Sequence, residues 1–165
     1  MDLYICRHGI AAELGEEGVT RDADRPLTAE GKRKLNQIGK ALNLLEIEVE
    51  LVVSSPYVRA IETADILYES LHVQNAMEVT EELIPNGNVR QFLAWLRKLN
   101  PKSVLVVGHE PYLSSLIALL VSGNPDAAIL MKKASICKLV ANRLEFGRCA
   151  CLEWLLTPKQ MGLMR

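Results

Sequence analysis

Residues 103–107 read SVLVV, an uninterrupted apolar run set between Pro101 and Gly108. A short run without polar alternation is the pattern of a strand buried on both faces. Such strands lie inside sheets that helices cover on both sides, so this stretch constrains the fold more than any other. Its flanks agree. Before it, Phe92, Trp95, Leu96 and Leu99 recur at helical spacing, and Pro101 stops that helix. After it comes Gly108-His109-Glu110-Pro111, then Leu113, Leu116, Ile117 and Leu120 at helical spacing again.

The same alternation runs through the chain. Residues 2–6 (DLYIC) and 50–54 (ELVVS) read as strands, and 76–79 as a short one. Thr28 is placed to cap a helix carrying Leu35, Ile38, Leu42 and Leu45. Ser55-Pro56 reads as a helix start, Ser as N-cap and Pro at the first position, with the helix running to about Leu71. Residues 10–26 and 81–88 (EELIPNGN) read as loops. Residues 134–141 and 149–156 read as two strands joined by a turn near Phe146-Gly147. The order βα, βα, (β)α, βα, ββ predicts an α/β three-layer sandwich. Its central sheet is mostly parallel, with helices on both faces and an antiparallel element at one edge. No linker or repeat divides the 165 residues, so one domain spanning 1–165 is expected.

Composition narrows the chemistry. Net charge is −1, so no basic field points to nucleic acid or to an anionic membrane, and any phosphate chemistry must rest on local cations. No stretch approaches the roughly 20 apolar residues of a membrane span. With Asp2 and no basic leader at the start, a cytoplasmic protein is expected. Cys6, Cys137, Cys149 and Cys151 form no CxxC pair and read as small buried hydrophobes, Cys149 and Cys151 on one strand face.

Three strand ends hold ionisable motifs: Arg7-His8-Gly9, Ser54-Ser55-Pro56-Tyr57-Val58-Arg59, and Gly108-His109-Glu110-Pro111. In a parallel sheet these meet at one edge, where ligands of such folds gather. Two of the motifs also open helices, whose N-termini favour anions. Each residue has an ordinary role when taken alone. His8 could be satisfied by backbone, His109 could be a turn residue, and Arg59 could pair with Glu62 on a helix surface. Two histidines, two arginines and helix N-termini at one point instead predict a phosphate or phosphoryl site. His72 has no partner motif and reads as structural. The chain has no GxxxxGK[ST] loop, no GxSxG elbow and no HExxH; the position six beyond Cys6 is Ala12 rather than the arginine of a thiol phosphatase.

Four pieces, RHG (7–9), DRPLTAEG (24–31), SSPYVRAIETA (54–64) and GHEP (108–111), occur in the order found in the histidine phosphatase superfamily, which the chain resembles over nearly its whole length. RHGIA and RPLTAEG further resemble its short phosphohistidine phosphatases of the SixA type. The resemblance implies a phosphoglycerate mutase-like fold. It implies His8 as nucleophile, with Arg7, Arg59 and His109 around the phosphate and Arg25 as a further phosphate contact. A loop arginine beside Asp22 and Asp24 is the plainer reading of Arg25.

The expected reaction is phosphoryl transfer from a phosphohistidine-bearing protein to neutral His8, then hydrolysis. Protonated His109 and the arginines would stabilise the equatorial oxygens without cofactor or metal. Each such donor is worth about 2.7–4 kcal/mol. The second ring nitrogen of His8 needs an acceptor, expected to be a backbone carbonyl. Glu82 is the candidate general acid; Glu81 is adjacent to it, and Glu110 sits beside His109. The alternative is no acid at all, because an imidazole leaving group, with a conjugate-acid pKa near 6.5, needs little help. Two other readings remain: a small-molecule phosphomonoesterase acting on a sugar phosphate or nucleotide, and a phosphate-binding module without turnover. The sequence leaves the oligomeric state open.

Overall fold

The apolar runs become the parallel strands of one mixed sheet. The structure, a computed structural model, describes residues 1–164, the side chain of Glu17 excepted. Among the described residues six strands pair: β1 (Asp2–Arg7), β2 (Leu51–Ser54), β3 (Glu78–Val79), β4 (Ser103–Gly108), β5 (Ile136–Ala141) and β6 (Ala150–Leu156). Their spatial order is β3-β2-β4-β1-β5-β6. The first four run parallel; β5 pairs antiparallel with β1, and β6 antiparallel with β5 at the edge. SVLVV thus lies in a central strand, as its apolar run predicts.

Helices α1 (Ala29–Leu44), α2 (Val58–Ser70), α3 (Val89–Leu99), α4 (Tyr112–Ser122) and the short α5 (Pro158–Met161) complete the order. The pleat of the central strands divides the core in two. Leu3, Ile5, Val104 and Val106 pack with Phe92, Leu96, Leu113 and Leu116 of α3 and α4. Tyr4, Cys6, Leu105 and Val107 face the other way, against Leu35, Ile38, Ala64 and Leu67 of α1 and α2 and Met161 of α5. This is the expected α/β three-layer arrangement.

Local signals hold in most places. Thr28 caps α1, its Oγ1 accepting from Gly31 N at 3.0 Å. α3 ends at Asn100 in the left-handed region, before Pro101. Two expectations are corrected. α2 begins at Val58, two residues later than Ser55-Pro56 suggests, because the first carbonyl to accept helical bonds is that of Tyr57, from Ala60 N and Ile61 N; Ser55 Oγ accepts from Tyr57 N at 3.4 Å and also lies 2.8 Å from His109 Nε2. Cys6 and Cys137 are buried, but Cys149, in the turn before β6, is half-buried, and Cys151 is exposed because β6 is an edge strand with an open face.

Candidate active site

Register places the site. Arg7 stands opposite Gly108 at the ends of β1 and β4, and Ser54 of β2 stands opposite Val107. His8 and His109 therefore follow side by side in one row at the carboxyl edge of the sheet, with Ser55, opposite Gly108, one residue behind them. His8 N donates to Gly108 O at 3.1 Å and Ser55 N to Val107 O at 3.0 Å, which extends the ladder into the row.

His8 is buried, 5% exposed. Its Nδ1 lies 2.7 Å from Gly9 O. A carbonyl only accepts, so Nδ1 carries the proton and donates, and Nε2 holds a lone pair. That lone pair accepts from Arg59 Nε at 3.1 Å. The backbone acceptor expected from sequence is thus Gly9 O. Burial pushes the imidazole pKa down to about 3; the Gly9 carbonyl opposes this, and His109, Arg59 and Arg7 add repulsion. Gly9 N in turn donates to Thr63 Oγ1 at 3.0 Å, and that hydroxyl donates to Arg59 O at 2.6 Å. Thr63 so ties the end of β1 to the first turn of α2.

Arg59, in that first turn, is 4% exposed. Besides His8 it donates through Nη1 to Asp22 O and through Nη2 to Asp22 Oδ2, the latter at 2.9 Å. The helix-surface pairing with Glu62 is absent: Glu62 accepts from Lys32 Nζ at 2.6 Å and from Leu27 N. Asp22 bridges two arginines, since its Oδ1 also accepts from Arg25 Nη1 at 2.9 Å. Partial burial raises the Asp22 carboxyl, but the hydrogen bonds from Arg25 and Arg59 outweigh it and hold the pKa below its ordinary value.

Arg25 also donates through Nε to Ala12 O at 2.6 Å and through Nη2 to Glu13 Oε2 at 3.3 Å. It reaches the histidines through Asp22 and Arg59 rather than by contact. Asp22 itself was missed by sequence reasoning. Its one signal was its place three residues before Arg25 in a loop too long to be mere connection.

Arg7 donates through Nη1 to Met131 O at 2.7 Å, and its Nε is buried without a partner among the described residues. His109, 1% exposed, has its ring centroid 5.0 Å from that of His8. Its Nε2 is 2.8 Å from Ser55 Oγ, and its Nδ1 is also buried and unpartnered. The Tyr57 ring packs 4.9 Å from it. Burial, with Arg59 and Arg7 adding repulsion against a smaller opposing effect of Asp22, pushes His109 down to about 3. The expected imidazolium is therefore a neutral ring in the pocket as it stands.

Glu82 makes no hydrogen bond to this group among the described residues. Its Oε2 accepts from Asn88 N at 3.0 Å, closing its own loop. Glu110 accepts from Ser114 N at 3.2 Å and from Ser114 Oγ at 2.6 Å, capping the start of α4. Arg7, His8, Arg59 and His109 do converge. Arginines between two histidines suit an anion and oppose a cation.

Comparison with known proteins agrees with this geometry. The family model of the histidine phosphatase superfamily (branch 1) matches residues 3–84. The phosphohistidine phosphatase SixA of Escherichia coli is 34% identical over 127 residues, 75% of this chain and 76% of that protein. A SixA homolog of Haemophilus influenzae is 30% identical over 128 residues, 72% of this chain and 76% of that one. The protein histidine phosphatase SixA complexed with tungstate superposes with a TM-score of 0.84 at 30% identity, covering 96% of this chain and 98% of that one. The α-ribazole phosphatase of Shigella flexneri, 19% identical, shares the fold with a TM-score of 0.76, covering 96% of this chain and 97% of that one. The chain belongs to the histidine phosphatase superfamily and is a phosphatase. Within the superfamily it is of the SixA type, with the phosphoglycerate mutase-like fold. Among the described residues no helix is long and apolar enough to cross a membrane.

Proposed function

We propose that this phosphatase acts on phosphohistidine carried by a protein, through a covalent intermediate on His8. The observation that carries this reading is the state of His8: Nδ1 donates to Gly9 O at 2.7 Å, and the Nε2 lone pair points to Arg59 Nε at 3.1 Å. An uncharged imidazole aimed at a guanidinium is a nucleophile facing the group that holds its target. Its low pKa keeps it unprotonated at neutral pH.

In the first step the Nε2 lone pair attacks phosphorus while the substrate's P–N bond breaks. The bonding pair becomes the lone pair of the leaving nitrogen, and the substrate ring departs as neutral imidazole with the proton that its other nitrogen already carries; His8 in turn keeps its Nδ1 proton toward Gly9 O. Arg59, Arg7 Nε and His109 take the equatorial oxygens, the last two offering buried ring or guanidinium nitrogens without another partner. The incoming phosphoryl charge favours protonation of His109. In the second step water attacks phosphorus, inorganic phosphate leaves, and His8 regains its lone pair. One P–N bond replaces another in the first step, so the leaving group needs no strong acid. Glu82, engaged with Asn88, is left out of this scheme.

The kinship with phosphohistidine phosphatases supports the substrate class. The test is a turnover panel: a histidine-phosphorylated phosphotransfer domain against sugar phosphates and nucleotides. Higher kcat/KM on the phosphoprotein is expected. Faster turnover of a sugar phosphate would assign the chain to small-molecule substrates instead.

A further inference from the structure

A cavity of about 760 Å³ lies beside the catalytic group and shares Arg7 with it. Its walls come from four separate parts of the chain: the start of the 10–26 loop, α1, the turn before β5, and the segment around α5. Those walls bring Lys34, Lys132, Lys133 and Lys159 together with Arg7, and among the described residues no carboxylate lines the space. On a chain of net charge −1 this is a strong local concentration of one sign. Acids outside the wall offset part of it. Lys34 pairs with Glu30 at 2.6 Å, and Lys133 lies 3.9 Å from Glu13. Lys132 and Lys159 are exposed. Between the cations the wall is apolar, with Ile10, Pro158 and Leu163, the last 76% exposed.

We propose that this cavity docks the partner protein: it receives an acidic, partly apolar patch beside the phosphohistidine while Arg7 and its neighbours receive the phosphoryl group. The inference rests on the phosphohistidine protein as substrate. Charge complementarity selects the occupant's sign, and the exposed leucine and proline give it an apolar face to cover. The lysines favour a protein surface over a second phosphate on a small molecule. A bound phosphate needs converging, fixed donors, whereas exposed ammonium groups on flexible stems attract at longer range.

The test is the double variant K132E/K159E, assayed on two probes: a histidine-phosphorylated phosphotransfer domain and free phosphohistidine. At low ionic strength kcat/KM for the phosphoprotein is expected to fall about 10-fold, within the range that steering by a charged cleft supplies. The wild-type advantage should shrink as salt is added. K132Q/K159Q should fall between the two. Turnover of free phosphohistidine should be unchanged, which also shows that the variants fold. Equal losses on both probes, or no loss on the phosphoprotein, would overturn the proposal. If the wild type hydrolyses free phosphohistidine but not the phosphoprotein, docking fails while the catalytic reading of His8 stands. If it hydrolyses neither, the phosphohistidine reading fails and docking fails with it.

Discussion

Acidification should unfold this protein through its two catalytic-row histidines, and the size of the effect follows from their burial. His8 and His109 are both held near pKa 3, first by burial and then by surrounding cations. In the unfolded chain each returns to about 6.5. Between these values the unfolded state binds protons that the folded state refuses, so stability rises with pH there. It is fully present above about 6.5, is lost as pH falls, and levels off only below about 3. Each histidine contributes a slope of about 1.36 kcal/mol per pH unit. From pH 7.5 to pH 4 that amounts to about 3 kcal/mol each and about 6 for the pair, comparable with the whole stability of a typical domain. Asp22, with its lowered pKa, stays charged through this window and adds little to the slope. The assay is urea denaturation at half-unit steps from pH 4 to 7.5, on the wild type, His8→Asn and His109→Asn. Each variant should lose about 1.36 kcal/mol per pH unit of slope. Slopes unchanged by either substitution would refute the claim that these imidazoles are buried neutral.

Asp22→Ala should lower kcat/KM about 10-fold on phosphohistidine, since it removes the charged hydrogen bond that orients Arg59, discounted for the exposure of the carboxylate. Asp22→Asn should lose less, because an amide oxygen still accepts from Arg59; steady-state kinetics of the two variants decide. Gly31→Ala should destabilise by about 1–3 kcal/mol in urea denaturation, because the added methyl meets the backbone oxygen of Ile10, which cannot yield without breaking its bond from Thr28 N.

Much of this was legible because local chemistry marks it. Apolar runs that stop abruptly gave five of the strands to within two residues, and Thr28 and Pro101 marked helix ends. The convergence of Arg7, His8, Arg59 and His109 followed from one assumption, a parallel sheet at those strand ends, which the register bears out. What escaped depends on contacts distant in sequence. Asp22 lies in a loop with no periodicity, and only the tertiary placement of that loop sets it on Arg59. Thr63 reads as one more helix residue until Gly9 arrives beside it. Ser55 looks like a cap, and its hydroxyl does accept from Tyr57 N, but it also meets His109, a partner distant in sequence that no local pattern announces. The neutral state of His109 in the pocket as it stands was not legible, because the cations around it were visible in the sequence and its depth was not.

The central claim is that His8 takes the phosphoryl group on the nitrogen that faces Arg59. Rapid-quench of the enzyme with a radiolabelled phosphoprotein substrate, followed by alkaline digestion and peptide mass spectrometry, tests it directly. An acid-labile phosphoryl group on Nε2 of His8, formed within the first turnover and absent in His8→Ala, is expected. A fully active His8→Ala enzyme, or label held on any other residue, would contradict it.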